Sequence, residues 1–455
     1  MNITFIQLSS LRNALTVFTL FFLSAAPMFG QHELGLHFMR NVWHSGLTNP
    51  AIVQPQTLSI SVLGLRNNLS FDGPTYNQIV STENGQTVID VDKFVDKLNP
   101  QNHLRDDLEL NTVAVALKLG KLHLSLAHAV RYQAYFKYPK ELPQIVWQGN
   151  AQFIGQTVEL GNELEFFGYH ELAAGAAYEF GPLTLGGRLK FLSGINSAVT
   201  DENHHSASFF TDSDVYQITL ASDYILNSAG AVNYNGFTDL QTDFNFGQLT
   251  FDNFFSSNSG VAFDIGARLK LEQLELAASI LDIGKITWDK DVTNYAATQT
   301  VTYSGLDFSD ALTGDDVPGF DAALDTLKNL YEVTETHNSF ETKLPSRVYL
   351  SAMYHLTEKV SVGALFFSEK FRNEKDTRVA IGGTAELLPF LTAGASYALG
   401  NDRFDNLGIN VALTFGPVQL FAVTDNIFAA LNAGDSKDFG ARLGGRVMIG
   451  GGDEE

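Results

Sequence analysis

The chain has 455 residues, a formal charge of −22 at pH 7, 18% charged and 12% aromatic residues, and no cysteine. The acidic balance argues against a nucleic-acid partner, which would meet a basic face. The lack of cysteine excludes disulfides, thiolate metal sites, a cysteine nucleophile and a cysteine-borne lipid anchor.

Residues 1–30 read as a secretory signal, with Arg12 ahead of the apolar core Ala14–Ala26 and cleavage expected between Gly30 and Gln31. Past that point no run approaches the roughly 20 apolar residues of a membrane helix. Residues 31–56 mix apolar side chains (Leu34, Leu36, Phe38, Val42, Trp43) with the turn formers Gly46, Asn49 and Pro50. A free tail has little reason to carry so many apolar groups, so this segment is expected to fold inside whatever follows it.

From residue 57 the pattern alternates with the period of a strand. Fourteen runs fit, at 57–71, 110–119, 121–135, 169–180, 182–195, 259–270, 273–284, 345–356, 359–370, 377–386, 389–399, 405–415, 417–426 and 438–449. In one of them Leu183, Leu185, Gly187, Leu189 and Phe191 share a face opposite Thr184, Gly186, Arg188 and Lys190. In another, Val261, Phe263, Ile265, Ala267, Leu269 and Leu271 oppose Ala262, Asp264, Gly266, Arg268 and Lys270. The last run sets Leu443, Val447 and Ile449 against Arg442 and Arg446. These runs are about 10 residues or longer, the reach of a tilted membrane-spanning strand.

Tight reversals near Gly120, Gly181, Glu272, Thr357, Leu388 and Gly416 alternate with connections that are often much longer, at 137–168, 195–260 and 284–344. Bacterial barrels pair short periplasmic turns with longer extracellular loops in this way. Two amphipathic helices are expected in those loops, over Asp90–Leu98 and Phe320–Val333. The fold class is therefore all-β: a transmembrane antiparallel β-barrel of fourteen strands over 57–449, with a hatch segment over 31–56, long extracellular loops and an acidic tail over 450–455.

The motifs Asn49–Ala51 ("NPA"), Leu185–Ile195, Leu281–Trp288, Tyr303–Phe308 and Gly416–Phe428 together resemble a family of outer-membrane β-barrels of unknown function, found in bacteria that also carry fatty-acid-transporter-like barrels. The resemblance implies an outer-membrane location and supplies no catalytic residue. "NPA" is also similar to the hatch motif of long-chain fatty-acid transporters, which makes Asn49, Pro50 and Ala51 candidates for a lumen contact. An ordinary Asn-Pro turn is the alternative.

Arg188, Lys190, Arg268, Lys270, Arg442 and Arg446 fall on the inward face. They form either a basic lining that attracts anions or pairs with lumen acids such as Asp264 and Glu275, since enclosed charges need partners. His204 and His205 read as residues of a solvated loop, and "TGDDVPGFD" (Thr313–Asp321) lacks the ligand spacing of a calcium loop. No nucleophile elbow, zinc-protease helix or phosphate loop occurs, so neither an enzyme nor a cofactor or metal is expected. Outer-membrane lipid is the expected surrounding. Two functional classes stay open: a transporter or channel for small, hydrophobic ligands, and a scaffold of a surface or secretion complex.

Overall fold

The structure is a computed structural model, and it describes residues 34–83, 86–234, 240–242, 258–303, 332–400 and 407–450. Its wall is made of β1 (Leu58–Phe71), β2 (Gln101–Leu119), β3 (Leu122–Pro139), β4 (Glu163–Phe180), β5 (Leu183–Thr211), β6 (Ser259–Leu271) and β7 (Leu274–Trp288). It continues with β8 (Ser346–Thr357), β9 (Val360–Phe371), β10 (Glu374–Leu388), β11 (Leu391–Leu399), β12 (Leu407–Phe415), β13 (Val418–Thr424) and β14 (Asp438–Ile449).

Each strand pairs antiparallel with the next. The ring closes because β1 meets β2 on one edge (Leu58↔Leu117) and β14 on the other (Leu58↔Ile449). Closure removes both sheet edges, as a membrane-spanning sheet requires. All fourteen strands foreseen from the alternation are present.

Local chemistry sets the short turns. Gly181 and Gly416 have φ of +64° and +56°, and each is followed by proline. A positive φ and then a fixed negative one is the sequence of a II′ hairpin turn.

The wall faces lipid with its apolar side. Leu185, Leu189, Phe191, Val261, Phe263 and Ile265 are all exposed, whereas their alternating neighbours Thr184, Lys190 and Asp264 are buried. Near the short turns, Tyr178 and Phe180 lie 4.7 Å apart, and Phe390 stacks on Phe415 at 5.7 Å. All four are exposed and form part of an aromatic girdle of the kind found at a membrane interface.

Leu189→Arg should therefore destabilise the barrel by about 2–4 kcal/mol, because Leu189 lies midway along its spanning stretch; Leu271→Arg, beside a turn, should cost only about 0–1 kcal/mol. Urea titration of the two variants in lipid vesicles checks this, and equal losses would contradict the assigned lipid face.

The long connections hold more strand than expected. β5 runs on to Thr211 and pairs there with a strand at Ile218–Ala229, which in turn pairs with Val292–Tyr303. His204 and His205 thus sit in a strand and not a loop, with His204 Nδ1 2.8 Å from Asp223. The polar run "TDENHHSAS" hid this, because a ladder standing in water needs no apolar face.

The helix α2 (Val91–Asp96) forms in its expected place, its first turn capped by Asp90, which accepts from Lys93 N at 2.9 Å. A further helix, α3 (Glu141–Gln148), packs beside it. The second foreseen helix lies almost entirely outside the described residues, as do the signal and all of the acidic tail except Gly450.

Candidate functional site in the barrel lumen

Residues 34–56 lie inside the ring. The segment begins with the short helix α1 (Leu34–Phe38) and continues through a 3-10 turn at Trp43–Leu47. Leu34, Leu36, Phe38, Met39 and Val42 are at most 1% exposed. Leu34 and Phe38 pack on Tyr349, Met353, Leu365 and Phe367, while Leu36, Met39 and Val42 pack on Ala412, Phe421 and Val423. These apolar side chains must be kept from water, and a barrel interior does this.

Polar anchors fix it to strands around the wall. The Asp425 carboxylate, just past β13, accepts from Leu34 N at 3.2 Å and Gly35 N at 2.6 Å, satisfying two N–H groups that a helix start leaves without partners. Arg40 Nε meets Glu275 of β7 at 2.7 Å. His37 bonds Thr48 Oγ1 at 2.7 Å and Ser351 Oγ at 2.8 Å. Burial, then the adjacent Arg40, holds His37 well below its ordinary pKa and so neutral.

Asn49 Nδ2 donates to Ala267 O at 3.2 Å and Ala278 O at 3.0 Å, while its Oδ1 accepts from Ala51 N at 2.8 Å. Close approach demands glycine here. A Cβ at Gly266 would overlap Asn49 Oδ1, and one at Gly186 would lie 2.5 Å from Pro50 O.

Charged side chains of the inner wall pair with one another and with this segment. Arg188 pairs with Asp264 at 3.0 Å, Lys190 with Asp264 at 3.0 Å and with Asp282, and Arg442 with Glu109 at 2.9 Å. Arg131 Nη2 donates to Glu171 Oε1 at 3.3 Å, and Arg131 approaches Asp282 at 3.7 Å. Arg446 binds Gln419 Oε1 at 2.8 Å and Asn41 O at 2.7 Å. Arg268 is buried, and Lys270 is exposed beside the turn at Glu272.

Four of the six basic residues singled out from sequence are thus engaged by protein groups, three of them by carboxylates. Glu275 is taken by Arg40, a residue that sequence reasoning passed over. Asp425 was passed over too: nothing in "VTDN" reveals which helix start it caps.

Beside the inserted segment a void of about 60 Å³ opens between it and β1–β5. Trp43, Pro50, Ile52, Val53, Ala116 and Ala177 give it apolar lining, and His123 and Arg188 add polar groups. Larger clefts at the long-loop end, among them two of about 280 Å³ and 540 Å³, are rich in charged residues.

A family model described as a family of unknown function (DUF5723) matches residues 50–425. None of the curated proteins matches the chain. Among solved structures, the toluene transporter TbuX of Ralstonia pickettii aligns with 10% identity and a TM-score of 0.45, covering 90% of this chain and 94% of that one. The toluene transporter TodX of Pseudomonas putida aligns with 10% identity and a TM-score of 0.43, covering 93% and 98%. The translocator domain of the autotransporter NalP from Neisseria meningitidis aligns with 8% identity and a TM-score of 0.33, covering 87% and 89%.

Proposed function

The chain belongs to that family of unknown function, and we propose that it is a plugged outer-membrane barrel through which small hydrophobic ligands pass. The short turns then face the periplasm and the long loops the exterior. Residues 31–56 act as the hatch, with Asn49, Pro50 and Ala51 as its wall contact. The observation that carries this reading is the insertion of residues 34–56 into the lumen, held by Asp425, Glu275 and Ser351 from different parts of the wall. A scaffold alone would need no such stopper. The void beside Trp43, Ile52 and Val53 has the mostly apolar lining that small-molecule sites favour.

Native mass spectrometry tests the ligand site. Naphthalene added to the detergent-solubilised protein should leave one bound adduct, and Ala116→Phe, which fills the void from the wall, should abolish it. No adduct on the parent protein, or an adduct that survives Ala116→Phe, would end this assignment.

The scaffold reading has one observation in its favour. On α3, Val146 is 66% and Trp147 58% exposed, on the face of the barrel where a surface partner would dock. Trp147→Ser should then release a co-purifying protein without changing naphthalene binding.

A further inference from the structure

We propose that the barrel is closed twice, by the inserted segment and by a separate cross-wall clasp at the long-loop end. This rests on the conduit reading above. In a ring of fourteen strands, β2 and β9 are seven steps apart either way, and so are β3 and β10. Residues on these opposite strands nevertheless touch. Arg105 Nη1 of β2 bonds Glu369 Oε1 of β9 at 2.6 Å, and Lys137 Nζ of β3 bonds Glu374 of β10 at 2.9 Å. Tyr135 of β3 packs edge-on against Phe371 of β9 at 5.3 Å, and Arg105 lies 4.9 Å from the same ring.

Barrel diameter grows with strand number, and a round barrel of this size is wider than two side chains. The β9–β10 hairpin must therefore lean across the opening. Its tip completes the clasp. Arg372 sits at φ +49°, a conformation uncommon outside glycine, and its guanidinium reaches Glu163 at 3.2 Å, Glu165 at 2.9 Å and the Thr200 carbonyl at 3.2 Å.

Two polar clefts at this end border the clasp, one lined by Arg105, Tyr135 and Glu374 and the other by Glu165, Thr200 and Arg372. The clasp is separate from the inserted segment. On β10, Glu374 belongs to the clasp while Gly382 carries the ring of Phe38. Those eight residues span roughly 26 Å along an extended strand.

The clasp depends on three cations set among carboxylates. Removing them takes the cationic partners from Asp107, Glu163, Glu165 and Glu374 and leaves Glu369 held from the wall by Arg347 at 3.2 Å. Arg372→Gly suits the test, because glycine adopts the turn conformation readily while removing the guanidinium.

Four proteins are compared in planar lipid bilayers: the whole mature chain, a form lacking Gln31–Val53, the triple variant Arg105→Gln/Lys137→Gln/Arg372→Gly, and the two changes combined. Each is first checked for heat-modifiable migration. Arg372→Gly alone replaces the triple variant if the latter fails to fold. Conductance should appear only in the combined form.

Full conductance on deleting Gln31–Val53 alone would overturn the clasp and leave the plug intact as a concept. Full conductance from the clasp variant alone would instead remove the plug as a seal, and with it the two-fold closure. Silence from all four would overturn the closure in series. As a direct check, Tyr135→Cys/Phe371→Cys in this cysteine-free chain should be joined by a short bismaleimide in native membranes. Failure to link would also refute the clasp.

Discussion

Gly266→Val is expected to leave the barrel assembled and to expel the N-terminal segment from the lumen. The outer face, which determines insertion into lipid, is untouched, because Gly266 faces inward. A Cβ there would overlap Asn49 Oδ1 and lie 2.8 Å from Pro50 Cδ, at a point where Asn49 is already bonded to Ala267 and Ala278. Overpacking of this kind costs about 1–3 kcal/mol, and each lost hydrogen bond adds about 0.5–1.5 kcal/mol. Gly187→Ala is the control, since its Cβ would meet only Asp264 O at an ordinary 3.5 Å. Limited proteolysis with mass spectrometry of peptides from residues 31–56 reads the outcome. Equal protection of that segment in both variants would show that Asn49 and Pro50 do not depend on the wall at Gly266.

Lys190→Met should be among the most destabilising single changes in the wall. Lys190 is 3% exposed and lies between Asp264, Asp282 and Glu171. Removing one partner of a buried charge cluster leaves the others uncompensated, at a cost of about 3–5 kcal/mol. Adding Asp282→Asn should recover part of that loss, because the two residues share one network and their effects do not add. The measurement is a double-mutant cycle of urea unfolding in lipid vesicles. A loss below about 1 kcal/mol, the range of an exposed ion pair, would mean that water reaches this level of the lumen and screens the cluster.

The two variants probe interactions that were unequally readable in the chain. Lys190 and Asp264 could be placed on the inward face by counting residues, because side chains alternate along a strand whatever it packs against. Their pairing was one of two readings, and it followed only from the general need of enclosed charges for partners. Asn49 was singled out through its motif. That its amide would span Ala267 and Ala278 depends on how far the ring brings β6 and β7 toward the segment.

The polar extension of β5 through His204 was missed for a related reason. Its strand character comes from pairing with Ile218–Ala229, and no lipid-facing alternation marks it.

What the sequence determined by itself was the set of features with short-range causes. These are fourteen strands from a period of two, turns from Gly-Pro pairs, the inward and outward faces, and the need of residues 31–56 to be covered. Each depends on neighbours a few positions away. The tertiary structure alone decided which groups meet inside the ring. Gly35 and Asp425 are 390 positions apart, and Arg105 and Glu369 are 264 apart. Such contacts follow from ring closure and from the inward lean of one hairpin. Inward-facing charge of either sign satisfies the same alternation, so the pattern of residues carries no record of which acid each base will find.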